Sequence, residues 1–193
     1  MTIFRSRWFA IFLTVVVIIG ATLVGVGRSL NGLARDIEAM FYDGVFLDDQ
    51  GFTQPSIDSL LNHRANTALV LGTMLEGIAE LAEDADTLLT LRRDLLSANS
   101  LDGKFVANEN MQRVFIDISS TISENNGLSL SERDYSDFQQ LASNFNGAQT
   151  AIMNNRYNQM VTSFMDDASF FAHLLRPFVF VNPPEYFGRS LLN

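Results

Sequence analysis

From Trp8 to Val26 every position is apolar or small except Thr14 and Thr22, and charge returns only at Arg28. A helix of about 19 residues at about 1.5 Å per residue is roughly 28 Å long, close to the hydrocarbon thickness of a bilayer. The run therefore predicts a transmembrane helix. Beyond it the pattern becomes amphipathic: Leu30, Leu33, Ile37 and Met40 recur at spacings of three and four, with Arg35, Asp36 and Glu38 between them. One helix is thus expected to run on to about Phe41, where Tyr42-Asp43-Gly44 ends it.

Asp43 to Gln54 has no helical period, and Pro55-Ser56 reads as a helix entry with Ser56 as cap. From Ile57 through Leu60, Leu61, Ala65, Ala68, Leu71, Leu75, Ile78, Ala82, Ala85, Leu89 and Leu96 apolar positions recur near every half-heptad without a proline. The spacing predicts one very long helix, continuous past Leu89, in which Gly72 and Gly77 each cost about 1 kcal/mol against Ala without breaking it. Asn99 to Gly103 is turn chemistry. Asn108 is expected to cap a third helix with Met111, Val114, Phe115, Ile118 and Ile122 on its apolar face, closed by Asn125-Asn126-Gly127. Ser129-Leu130-Ser131-Glu132 reads as a capping box. The fourth helix then carries Tyr135, Phe138, Leu141, Ala142, Phe145, Ala148 and Ile152 and runs to about Leu175, before Pro177. No strand-like alternation of useful length appears before Val179. The expected fold class is all-α: an N-terminal transmembrane helix followed by an elongated antiparallel three- to four-helix bundle. The expected divisions are 1–27 as cytoplasmic tail and anchor, 28–176 as helical bundle and 177–193 as an aromatic-rich tail.

Particular residues resemble the LemA family. They are Ala107-Asn108-Glu109-Asn110, read as a helix start, the stretch Tyr157-Asn158-Gln159-Met160-Val161-Thr162-Ser163-Phe164 in the last helix, and Tyr186-Phe187 near the carboxyl end. The order of parts agrees from about Ser56 to Phe187, together with the anchor. Departures are Met165, where the family usually has proline, and Thr150-Ala151, where it has an earlier Tyr-Asn; the basic pair it carries at the start of the long helix is reduced here to Arg64 within Asn62-His63-Arg64. The resemblance implies a membrane-anchored helical bundle and marks Asn108, Glu109, Tyr157 and Asn158 as structural or interaction residues.

Charge narrows the partners. All 22 acidic residues lie at or beyond Asp36, against 11 of the 13 basic ones from Arg28 onward, so the polar part is strongly acidic. Nucleic acid and anionic lipid headgroups are poor general partners, because phosphate affinity needs clustered Lys and Arg, and no nucleic acid is expected. Arg5 and Arg7 form a basic start, and the apolar run exceeds a signal peptide's roughly 7–15 residues and lacks an A-x-A-like cleavage site, with only Gly25-Val26-Gly27 nearby. An uncleaved signal-anchor is expected, N-in, with the body outside the cell membrane. Cysteine is absent, which removes disulfides, thiolate metal sites and a Cys nucleophile.

Catalytic chemistry has little to stand on. His63 and His173 have no metal-ligand spacing, no G-x-S-x-G, H-E-x-x-H or phosphate loop occurs, and no cofactor is implied. Glu76, Glu80 and Glu83, with Asp84 and Asp86, stack along one face of the expected long helix, either as a solvated face or as a cation site. Asn154, Asn155 and Asn158 beside Arg156 and Tyr157 are costly in a helix, and are read either as buried asparagines that fix register or as a ligand site. Phe178, Phe180, Tyr186 and Phe187 read either as membrane-proximal aromatics or as rings closing the proximal end of the core. The leading expectation is a single-pass anchored helical scaffold or interaction protein at a bacterial-type envelope, not an enzyme, held to the bilayer through residues 8–26 and meeting a protein partner or itself. The alternative is an extracytoplasmic ligand- or cation-sensing domain.

Overall fold

The computed structural model describes residues 7–48, 51–124, 130–175 and 182–188, with side chains in helix 168–175 left undescribed. The chain divides into two compact units, Met1–Ala39 with Gln159–Glu185 and Met40–Asn158 with Tyr186–Asn193. Among the described residues it is all-α apart from one short hairpin, with α1 at Arg7–Asp43.

The first unit is dominated by α1, which is long and apolar enough to cross a membrane and whose most apolar stretch buries nothing. Trp8 is 81% exposed and Val24 60%. The two threonines that interrupt the run donate their hydroxyls back to Ala10 and Ile18 carbonyls, each at 2.9 Å, so neither leaves a polar group unsatisfied in an apolar solvent. Later in the same unit Asn31 accepts from the Asn182 amide at 3.3 Å, and Ala34, Ile37, Val161 and Phe164 are buried.

The second unit is a helical bundle entered through the end of α1. Gly44 stops that helix in a left-handed conformation, φ +86°, where a Cβ would stand 2.4 Å from the Gln54 carbonyl oxygen. There follow β1 (Val45–Leu47) and β2 (Phe52–Gln54), an antiparallel pair with Phe46 opposite Thr53. Three residues a side are too few for alternation of useful length, so periodicity along the chain does not register this hairpin. Then come α2 (Ile57–Leu75), α3 (Ala82–Ser97), α4 (Leu101–Glu124) and α5 (Glu132–Met153), with α2 packed on both α3 and α5, and α3 on α4. The start of α6 (Arg156–Leu175) and Tyr186–Phe187 complete this unit. Its core contains Leu61, Leu71, Leu88, Met111, Phe115 and Phe145.

Four boundary expectations are corrected. The long helix from Ser56 is not continuous past Leu89; Ser56 does cap it, accepting from the Ser59 amide at 3.0 Å, but it ends at Leu75 and reverses through residues 76–81. Folding back lets α2 and α3 bury their stripes on each other, and Gly72 makes the approach possible: a Cβ there would lie 2.6 Å from Leu89 Cγ. The third helix starts two turns before Asn108, capped by Ser100, whose Oγ accepts from the Gly103 amide at 3.1 Å. The fourth is capped by Ser131, which accepts from the Asp134 amide at 3.1 Å; Ser129, the expected cap, lies outside the described residues. It also breaks at Asn154-Asn155 instead of running on to Leu175.

Candidate functional site

Helical spacing puts Arg64 on the same face of α2 as Ile57, Leu61, Ala68 and Leu71, and the side chain is fully buried at 0% exposure. An arginine there must find acceptors, and amides on two neighbouring helices supply them. Its Nη1 donates to Asn108 Oδ1 on α4 and to Gln149 Oε1 on α5, and Nη2 donates to Gln112 Oε1 on α4. The guanidinium lies over the Phe145 ring, 4.0 Å from its centroid. The amides are tied to one another: Asn108 Nδ2 donates to Gln149 Oε1 at 3.0 Å and Gln112 Nε2 to Asn146 Oδ1 at 3.3 Å.

All of Arg64's hydrogen-bond partners are neutral. The nearest carboxylate in the network, Glu109, is reached only through Gln149, whose Nε2 donates to Glu109 Oε1 at 3.4 Å. Burial pushes the Arg64 pKa down to about 9, and the Glu109 charge pulls it partly back up. The group is therefore a buried cation at neutral pH, and its Nε has no hydrogen-bond partner. Asn108, Glu109, Gln112 and Gln149 also line a groove of about 510 Å³, together with Phe105, Ile152, Met153, Asn158 and the Tyr186-Phe187 pair. That volume is within the range of small-molecule sites, about 300–1,000 Å³.

A second polar cluster in the same unit organises the break between α5 and α6. Asn155 is buried, donates Nδ2 to the Pro55 carbonyl at 2.9 Å, and accepts from the Tyr157 amide at 3.0 Å, so it caps α6. Gln54 reaches the same junction, accepting from the Arg156 amide at 3.1 Å. Asn158 clasps the backbone of Phe187 from both sides, donating to its carbonyl at 2.8 Å and accepting from its amide at 3.1 Å. Tyr157 is fully buried with its ring edge-on to Phe41, centroids 5.5 Å apart.

The candidates named from sequence belong to two hydrogen-bond clusters that border one groove, which Asn108, Glu109, Asn158, Tyr186 and Phe187 all line. Asn108 and Glu109 belong to the Arg64 network, with Asn108 a mid-helix core amide instead of a cap. Tyr157 and Asn158 belong to the junction. Phe187, 3% exposed, packs on Phe41 and Phe105 with centroids 5.5 and 5.6 Å away, so this ring is a core residue of its unit. Tyr186 is partly exposed at the groove, and Phe178 and Phe180 lie outside the described residues.

The acidic stack is corrected: Glu76 and Glu80 fall in the reversal and Glu83 in the first turn of α3, so no single helical face holds them. Among the described residues no group of His, Cys, Asp and Glu is placed to hold a metal. His63 is on the surface.

Sequence reading missed Gln112 and Gln149 and gave Arg64 no structural role. The available signal was their register: Arg64 sits between Leu61 and Ala68, Asn108 one turn before Met111 and two before Phe115, and Gln149 one turn after Phe145. Comparison of the chain with family models, curated proteins and solved structures finds no match.

Proposed function

We propose that this chain is a single-pass, membrane-anchored helical scaffold or interaction protein of a bacterial-type envelope, LemA-like in its order of parts and without chemistry of its own. The observation that carries this reading is α1. Its exposed apolar stretch fits the bilayer, and the same unbroken helix continues to Phe41, a fully buried residue of the second unit. Arg5 and Arg7 before the span and the acidic excess after it favour an N-in orientation with the body outside. In that arrangement the span anchors the chain to the bilayer, and a protein partner or a second copy can meet the body.

Protease added to intact spheroplasts is expected to degrade the body, and cross-linking in native membranes is expected to trap the full chain in a discrete adduct. Protection until lysis would reverse the topology. A chain that stays monomeric and uncross-linked would remove the association reading.

A second reading, an extracytoplasmic ligand-sensing domain, is favoured by one observation: the groove beside the buried Arg64. The cation-sensing form of that reading gains nothing from the dispersed acidic residues.

A further inference from the structure

Arg64 is held in a way that leaves its charge without a direct counter-ion. A guanidinium has five N–H donors, and this one gives three hydrogen bonds, all to side-chain amide oxygens, while Nε has none. A carboxylate adds to such bonds the attraction of an opposite charge, which a neutral amide lacks, and it takes arginine through parallel pairs on an edge such as Nε and Nη2. The three acceptors, Asn108, Gln112 and Gln149, are all residues of the groove wall. Arg64 is fully buried and does not itself line the groove, whereas its acceptors Gln112 and Gln149 do and are only half buried, so contact with a ligand there requires one of these side chains to swing aside and expose a guanidinium edge. The displaced amides keep N–H groups that can bond the second oxygen of an arriving carboxylate. Beyond them, Phe105, Ile152 and Met153 provide an apolar surface.

We propose that this groove binds a ligand presenting a free carboxylate next to an apolar side chain, with Arg64 as the counter-ion. That chemistry is shared by a free apolar α-amino acid and by the carboxyl terminus of a peptide. The inference rests on the ligand-sensing reading and specifies its ligand. Glu109, which lines the same groove, distinguishes the two sources: it suits the ammonium group of a free amino acid and offers nothing to the neutral amide that precedes a peptide's last residue.

The test is the full-length chain in nanodiscs, with thermal unfolding followed at rising concentrations of L-leucine, leucinamide, acetyl-Ala-Ala-Leu and the amide of that peptide. At least one of the two carboxylates is expected to give a saturable rise in Tm, with its amide counterpart at least about tenfold weaker, the worth of one charged hydrogen-bonded contact. Leucine acting alone, and losing its effect in Glu109→Gln, assigns the site to free amino acids; the peptide acting alone, indifferent to Glu109→Gln, assigns it to carboxyl termini. Met153→Glu places a negative charge at the exposed rim and is expected to weaken the carboxylate about tenfold; Arg64→Lys, which keeps the charge but removes the fork, is expected to do the same. Acid and amide acting equally would overturn the carboxylate assignment and leave a ligand-binding groove. Carboxylate-selective binding untouched by Met153→Glu would place the ligand elsewhere and overturn the proposal. No shift with any of the four compounds would overturn both the inference and the reading beneath it.

Discussion

The second unit holds two polar clusters, one around buried Arg64 and one around buried Asn155, that serve different ends. At the α5–α6 junction, Asn155, Asn158 and Gln54 spend their hydrogen bonds on backbone groups that a broken helix and a returning segment leave open: the Pro55 carbonyl, the Tyr157 and Arg156 amides, and both backbone groups of Phe187. Around Arg64 the hydrogen bonds run between side chains, and no backbone group depends on them. The junction completes the fold. The Arg64 cluster satisfies only itself, at the expense of burying a charge, and a chain that needed nothing but packing there would do as well with Met and Leu.

Asn108→Leu is expected to have the largest effect, about 3 kcal/mol lost in urea unfolding, because it removes one acceptor from a cation that stays buried. Asn155→Ala should cost about 2 kcal/mol by deleting a helix cap and stranding a carbonyl. Asn158→Leu should cost a similar or slightly smaller amount, about 1–2 kcal/mol, and raise hydrogen exchange at the Phe187 amide. The decisive contrast is the triple replacement Arg64→Met, Asn108→Leu, Gln149→Met. It removes charge and partners together, and is expected to fall within about 1 kcal/mol of the parent or to be more stable. A triple as costly as Asn155→Ala would erase the distinction between the two clusters.

The smallest effect is in pH. Burial holds Arg64 at about 9 in the folded chain, below its value when unfolded, so the unfolded state binds that proton more tightly. Between about pH 5 and 8 both states carry it and the group adds no slope; above about 9 the folded state sheds it first, and stability rises with pH. Urea unfolding from pH 7 to 10 should show the parent gaining on the triple replacement only at the alkaline end. A gap that widens with acid instead would mean another group sets it.

Some elements were legible from local chemistry. The apolar run at Trp8–Val26, the continued stripe to Phe41, the stop at Gly44 and the cap at Ser56 each depend on residues within a few positions of one another. The reversal at 76–81 was hidden because Leu75, Ile78 and Leu81 keep the apolar rhythm through the turn, and Leu75 and Leu81 are both fully buried there. Periodicity therefore reads straight across a fold-back. Gly72 looked like a tolerated cost within a helix, and its use shows only against Leu89, which arrives from another helix.

By itself, then, the sequence determined which segments are helical, which one is apolar enough for a bilayer, and where several of them start, because propensity, capping and period act within one or two turns of chain. Tertiary structure decided that two of the expected helices break, that Asn108 is a core amide instead of a cap, and that Arg64 meets Asn108, Gln112 and Gln149 across 44, 48 and 85 positions of sequence. A buried charge is tolerable only where partners converge on it, and convergence is a property of how helices pack, which no single segment encodes.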